Sequence, residues 1–203
     1  MNKTPLCCAI VAAAMITGCV TPTTRVDINN DTGGQVVAID YRDVRETVAV
    51  MLQDLFRSGR LDRTDGQMYV VAVGKVENDT PLHFNTDIIT SYITEELTNS
   101  GKALVTAAVA YKASNRDEML DAAASLRNDA EFDQTTVVRP GQRGGYTHSL
   151  FGKIIQQEVR TDNGDRRIEY YLEMNLTDAV KGYVWWKKQH QIIKNTDGRR
   201  RGW

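Results

Sequence analysis

Side chains able to act as nucleophiles or metal ligands are few in this 203-residue chain, and they lie far apart. All three cysteines fall within the first 19 residues, at Cys7, Cys8 and Cys19. The rest of the sequence therefore has no thiol for a disulfide, a thiolate metal site or a Cys nucleophile. The histidines are widely separated and form no close ligand pair such as HExxH: His83, His148 and His190.

Short motifs associated with catalysis or cofactor binding are also missing. Gly141–Tyr146 (GQRGGY) is rich in glycine but lacks the Lys-Ser/Thr pair of a phosphate-binding loop. Glu95 and Glu96 are adjacent on a predicted helix, so their side chains diverge by about 100° and cannot face each other as acid and base. Neither GxSxG nor SxxK is present. We therefore predict no catalytic residue, no metal site and no cofactor, and interpret the chain as not an enzyme.

The N-terminal residues have the features of an export signal. A cationic start at Met1–Lys3 precedes an apolar run at Leu6–Ile16, which is too short for a comfortable permanent membrane span. The run ends in Ile16-Thr17-Gly18-Cys19, which resembles the lipobox of bacterial lipoproteins. That resemblance implies a signal peptide at residues 1–18 and a lipid anchor at Cys19, whose thiol receives a diacylglyceryl group and whose new amine is acylated, for example with palmitate. An ordinary secretory signal is the alternative.

The residue after the cysteine bears on the destination of the chain. Val20 stands where an Asp would imply retention in the inner membrane under enterobacterial-type sorting, so the resemblance implies the periplasmic face of the outer membrane.

Residues 19–39 are rich in Thr, Asn, Asp and Gly without an apolar period, which predicts a flexible tether. A single globular domain is predicted at 40–195, followed by a basic tail at 196–203. The 25 Lys and Arg balance 26 Asp and Glu, which argues against a nucleic-acid partner.

Hydrophobic periodicity predicts three helices and five strands in the domain. The predicted helices cover 40–58, 85–101 and 115–127, and the predicted strands cover 68–76, 104–109, 149–160, 166–177 and 183–193. The last three strands form a meander with a tight turn at Asp162–Asp165. In its middle strand, alternate residues are apolar and should face the helices: Ile168, Tyr170, Leu172, Met174 and Leu176. This order predicts an α/β (α+β) fold, a small mixed β-sheet with helices packed on one face.

Aromatic and cationic residues are mixed near the C-terminus. Tyr183, Trp185 and Trp186 stand beside Lys187 and Lys188, a composition that can serve a binding surface. Because successive residues of a strand point to opposite faces, one of the two tryptophans is predicted to lie in the core and the other to be free to bind. The candidate protein interface is therefore Tyr183, Trp185 and Trp186. Ordinary core and surface roles for these residues are the equally weighted alternative.

Three segments of the domain carry a family resemblance. They are Tyr69–Thr80 (YVVAVGKVENDT), the predicted helix from Asp87 to Gly101-Lys102, and the late strand Tyr183–Lys188. Together with the lipobox and the order of elements, they resemble the LpoB family of outer-membrane lipoproteins. The resemblance implies a fold like the N-terminal domain of TolB. It also implies a non-enzymatic role, in which the protein binds and activates a class A, bifunctional penicillin-binding protein and so regulates peptidoglycan synthesis.

The predicted tether departs from the family pattern. Well-known members carry a long Pro-rich segment between the lipid and the domain, whereas here about 16 to 20 residues would span at most about 60 to 70 Å. The alternative is therefore an envelope assembly or secretion-associated lipoprotein, comparable to the periplasmic interaction module of CsgG, with no role in cell-wall synthesis.

Overall fold

The computed structural model describes residues 27, 31, 33, 34, 36, 38–109, 117–162 and 164–196. The chain divides into two compact units, Met1–Gln35 and Val36–Trp203. Every helix and strand given below lies in the second unit. The predicted signal peptide, Cys19 and the basic residues after Thr196 lie outside the described residues, as do Asn115 and Arg116, where the third helix is predicted to begin.

The described residues form three helices and six strands. The helices are α1 (Tyr41–Arg57), α2 (Asp87–Asn99) and α3 (Met119–Ser125). The strands are β1 (Tyr69–Val73), β2 (Glu77–Asp79), β3 (Ala103–Val105), β4 (His148–Arg160), β5 (Arg166–Asp178) and β6 (Val184–Thr196). Only β2 is absent from the predicted set of elements.

One mixed sheet contains all six strands, in the order β3-β1-β4-β5-β6, with β2 also paired to β4. The pairs β1–β3, β1–β4 and β2–β4 are parallel. The long pairs β4–β5 and β5–β6 are antiparallel. The predicted mixed sheet and its C-terminal meander are therefore confirmed.

Helix α1 begins at a reciprocal cap. The carboxylate of Asp40 accepts from the backbone N–H of Arg42 (2.9 Å) and of Asp43 (3.0 Å), while the Asp43 carboxylate accepts from the N–H of Asp40 (2.8 Å). These bonds satisfy N–H groups that have no partner inside the helix. Burial alone would raise the pKa of Asp40, but the Asp43 N–H and the charges of Arg42 and Lys194 hold it below its ordinary value. Asp40, the first residue of the predicted helix, is therefore the capping residue, and α1 begins at the next residue, Tyr41.

The core lies between α1, α2 and one face of the sheet. The alternate residues Ile168, Tyr170, Leu172, Met174 and Leu176 of β5 are buried, whereas the residues between them are partly exposed. Three of these residues, Leu172, Met174 and Leu176, form one cluster with fully buried helix residues such as Met51, Leu55 and Ile93. The predicted alternation of β5 is confirmed, because a period of two separates the side chains of a strand onto opposite faces.

Hydrogen bonds also join α1 to the edge strand β6. The Asp54 carboxylate accepts from Trp186 Nε1 at 3.0 Å and from Lys188 Nζ at 2.9 Å. These two bonds lower the pKa of Asp54, that from Lys188 more than that from Trp186. Further along β6, Lys194 Nζ donates to the carbonyl oxygen of Ala38 (2.8 Å) and to the Asp43 carboxylate. Edge strand β6 is thereby fixed to both ends of α1.

The first predicted strand is interrupted, which sequence periodicity did not indicate. Strand β1 ends at Val73, and the next N–H, that of Gly74, donates to the carbonyl oxygen of Leu150 at 2.8 Å. The N–H of Val76 leaves the sheet ladder and donates to Thr90 Oγ1 of α2 at 3.3 Å. The chain then pairs again as β2. A side chain on the neighbouring helix therefore replaces one strand-to-strand hydrogen bond.

Two other predicted elements differ in length. The strand predicted at 104–109 is confined to Ala103–Val105, and the helix predicted at 115–127 covers Met119–Ser125. None of the α3 side chains is buried, so little packing is available to extend that helix.

Replacing Thr90 by Val should destabilise the domain by about 1–3 kcal/mol, because it leaves the buried Val76 N–H without an acceptor. Thr90 is 0% exposed, and its hydroxyl also donates to the Thr86 carbonyl oxygen at 3.2 Å. The free energy of unfolding in urea measures the effect. Thr98→Val is the matched control, because the exposed Thr98 hydroxyl only donates to the Thr94 carbonyl oxygen. Equal losses for the two variants would contradict this role for Thr90.

Candidate functional site

Trp186, one of the predicted interface residues, lies in the core. Its side chain is 7% exposed, and it belongs to the same cluster as the buried residues of α1 and α2. Because its indole N–H is satisfied by Asp54, the polar end of the ring needs no outside partner. Trp186 is thus removed from the surface that a partner could contact.

A bulge in β6 changes the direction of Trp185. Trp186 pairs with Leu176, but the next pair is Thr177 with Val184, so Trp185 is an extra residue without a partner in β5. The prediction that the two tryptophans point to opposite faces is therefore wrong. The Trp185 ring instead packs against the core and contacts His148 edge to face, with the ring centroids 5.9 Å apart.

Trp185 belongs to an aromatic cluster with Tyr69 and His148. The centroids of Tyr69 and His148 are 4.5 Å apart, again in an edge-to-face arrangement. Arg63 lies 4.9 Å from the Tyr69 centroid and Arg60 lies 5.4 Å from the Trp185 centroid, both as cation–π contacts. The Arg60 carbonyl oxygen also accepts from Trp185 Nε1 at 2.9 Å. The cluster therefore ties the loop after α1 to one end of the sheet.

His148 is the buried ionisable group of this cluster. It is 4% exposed; its Nδ1 lies 3.1 Å from Thr147 Oγ1, and its Nε2 has no hydrogen-bond partner. Burial lowers the pKa of His148, while the charge of Asp178 acts in the opposite direction. Asp178 is itself engaged by two backbone N–H groups, so the pair is not arranged as an acid and base around a substrate. We interpret the ring as a neutral packing element.

Tyr183 is the predicted interface residue that remains on the surface. It is 67% exposed and lies in the connection between β5 and β6, where its carbonyl oxygen accepts from the N–H of Asp178 at 2.9 Å. The sequence indicated His148 only as an isolated histidine and Tyr69 only as the start of a family-like segment, and it did not bring either together with Arg60. For the turn that carries Tyr183, the sequence does hold a signal: Asp178 is followed four residues later by Gly182, a spacing typical of a tight, hydrogen-bonded turn.

A cavity of about 760 Å³ lies where β1 breaks before β2. Its lining is mostly apolar, with Phe84, Tyr146 and Phe151 as the aromatic residues. Lys75 and Glu77 are the charged residues of this lining. In the part of the chain that the structure describes, no three His, Cys, Asp or Glu side chains come together as a metal site. Nor does any helix among these residues have the length and apolarity to cross a membrane.

Lowering the pH should destabilise the domain through His148. Because its folded-state pKa lies below the ordinary value of 6.5, the contribution of the neutral ring is complete above pH 6.5 and is lost as the pH falls to the folded-state pKa. His148→Phe removes this titration, so its unfolding free energy should change less between pH 8 and pH 5.5 than that of the parent. Urea unfolding at both pH values measures the difference, with a substitution at the exposed His83 as control. An unchanged pH dependence in His148→Phe would be evidence against this account.

Comparison with known proteins gives one family. The sequence-family model described as peptidoglycan-synthase activator LpoB matches residues 43–192. The chain is similar to the LpoB C-terminal domain from Salmonella enterica, with 19% identity, a TM-score of 0.38, and coverage of 73% of this chain and 94% of that chain. For the same domain from Escherichia coli, the identity is 18% and the TM-score 0.39, with coverage of 73% of this chain and 94% of that chain. For lipoprotein GNA1162 from Neisseria meningitidis, the identity is 15% and the TM-score 0.37, with coverage of 63% of this chain and 84% of that chain. No curated protein sequence matches.

The family match covers well over half of the chain and extends from α1 into β6. It includes the three segments on which the resemblance was based, and it confirms that resemblance. The chain therefore belongs to the LpoB family of peptidoglycan-synthase activators.

Proposed function

We propose that this chain is an outer-membrane lipoprotein that binds a class A penicillin-binding protein and activates it, and so regulates peptidoglycan synthesis. The match of residues 43–192 to the family carries the proposal. The family comprises regulators of peptidoglycan synthases rather than synthases. Its match favours this role over a secretion-associated module. The chain acts by binding, and the chemistry belongs to its partner.

The second part of the proposal concerns position in the envelope. Lipidation of Cys19 holds the chain at the periplasmic face of the outer membrane, and the lipobox-like residues before Cys19 support this. Between Cys19 and the start of α1 at Tyr41, the chain spans at most about 75 Å when fully extended and much less as a flexible coil. The synthase must therefore present its binding surface within that distance of the outer membrane.

The soluble chain without its signal should raise the rate of glycan polymerisation by a class A penicillin-binding protein of the same organism. Binding energy from the regulator would favour the active state of the synthase, so the rate should rise and saturate with regulator concentration. A continuous assay with labelled lipid II measures the rate, and pull-down measures binding. A monofunctional transpeptidase is the control. No binding and no change in rate with any class A enzyme of the organism would remove the proposal.

Replacing Cys19 by Ser should abolish labelling with radioactive palmitate and move the chain from the membrane fraction to the soluble periplasmic fraction. The hydroxyl of Ser cannot form the thioether on which lipid anchoring depends. Cys8→Ser is the matched control, because Cys8 lies in the predicted signal peptide and should leave labelling intact. Labelling that persists without Cys19 would show that the anchor lies elsewhere or does not exist.

A further inference from the structure

The connection between β5 and β6, together with the first residue of β6, exposes three large apolar side chains within five residues. Val180 is 84% exposed, Tyr183 67% and Val184 61%. They contribute little to the core, since so much of their surface remains in water. Single exposed apolar residues are common, but a cluster at one tip is typical of a contact surface. We call Val180, Tyr183 and Val184 the apolar tip.

Backbone hydrogen bonds hold the apolar tip in one conformation. The Asp178 carboxylate accepts from the N–H of Val180 (2.9 Å) and of Lys181 (3.0 Å), which lowers the pKa of Asp178. The N–H of Gly182 donates to the Asp178 carbonyl oxygen at 2.8 Å, and Gly182 has a positive φ of 73°. The N–H of Ala179 donates to the Thr147 carbonyl oxygen of the neighbouring strand region at 2.9 Å. A partner would therefore meet a preformed turn and would lose little affinity to ordering it.

The charges around the apolar tip favour an acidic partner. Lys181 lies within the turn, and Arg60 lies over Trp185, the residue that follows Val184. Among the described residues, no carboxylate comes within ion-pair distance of Arg60. Near Arg60, Asp62 pairs with Lys102 and Asp65 pairs with Arg63. Within the turn, the Asp178 carboxylate accepts from backbone N–H groups and partly offsets the charge of Lys181. Arg60 is therefore the main cation that this region offers to an acidic partner.

We propose that the apolar tip, flanked by Arg60 and Lys181, is the surface through which this chain docks onto the extracytoplasmic part of its synthase. This rests on the proposed function. The matching site on the synthase is a shallow apolar pocket bordered by Asp or Glu. Tyr183 enters the pocket, since aromatic anchors dominate the binding energy of such interfaces. The two cations meet the acidic border and speed the encounter.

A protein pocket fits these observations better than a lipid bilayer. The turn is small and hydrogen-bonded, and Trp185 beside it is partly buried, with its indole N–H donated to the Arg60 carbonyl oxygen. That tryptophan is therefore not free to reach a membrane interface, where such rings commonly anchor proteins.

Binding of variants to the immobilised extracytoplasmic part of a class A penicillin-binding protein tests the proposal. Tyr183→Ala should weaken binding about tenfold or more, and Val180→Ser should also weaken it. Replacing both Arg60 and Lys181 by Glu should mainly slow association. The difference in association rate from the parent chain should shrink at high salt. Met119→Ala on α3 is the matched control, because Met119 is 70% exposed and apolar but lies on another element. Circular dichroism and thermal melting should confirm that each variant remains folded.

The outcomes separate this proposal from the proposed function. If the parent chain binds and Tyr183→Ala and Val180→Ser bind equally well, the docking surface is wrong while the proposed function stands. If the parent chain binds no class A enzyme, both fail. If the parent sediments with vesicles of phosphatidylethanolamine and phosphatidylglycerol, and Tyr183→Ala does not, the apolar tip is a membrane contact and the proposal is overturned.

Discussion

Burial of the apolar face of β5 is the interaction on which the rest of the domain depends. Strand β5 pairs with β4 on one side and with β6 on the other, and its side chains Leu172, Met174 and Leu176 pack into one cluster with α1 and α2. Each fully buried apolar side chain of this size, such as Met174 or Leu176, stabilises the fold by about 1.5–3 kcal/mol. A register shift of one residue would turn all of these side chains to the solvent face. The register of β6, and hence the position of the β5–β6 turn, follows from this constraint.

At one end of the sheet, the register of β6 determines which side chains are buried and which lie on the surface. Trp186 pairs with Leu176 and is held by Asp54, so the bulge places the extra residue, Trp185, against His148. The turn just before it then projects its apolar residues away from the core. A protein that regulates a partner by binding benefits from a fixed surface, because its effect depends on differential binding to the states of that partner. Packing of the core therefore fixes the position of the apolar tip on the surface.

The sequence predicted those parts of the fold that depend on local pattern. The period of two in β5 and the apolar spacing that predicts a helix at 40–58 each depend on neighbouring residues, and both agree with the structure. The break after Val73 could not be predicted, because it depends on Thr90 and on the carbonyl oxygen of Leu150, which lie far along the chain. The bulge at Trp185 is likewise set by pairing across the sheet. For the candidate site, composition pointed to Tyr183 but not to Val180, whose exposure follows from the conformation of the turn.

Crosslinking in living cells tests the central claim, that this domain contacts a peptidoglycan synthase through one end of its sheet. A photoreactive phenylalanine analogue would replace Tyr183 in the full chain, and mass spectrometry would identify the captured protein. A second chain with the analogue at Met119 would report on an unrelated exposed position. The account predicts capture of a class A penicillin-binding protein from position 183 and not from position 119. Capture of other envelope proteins alone from position 183, or equal capture of the synthase from both positions, would contradict it.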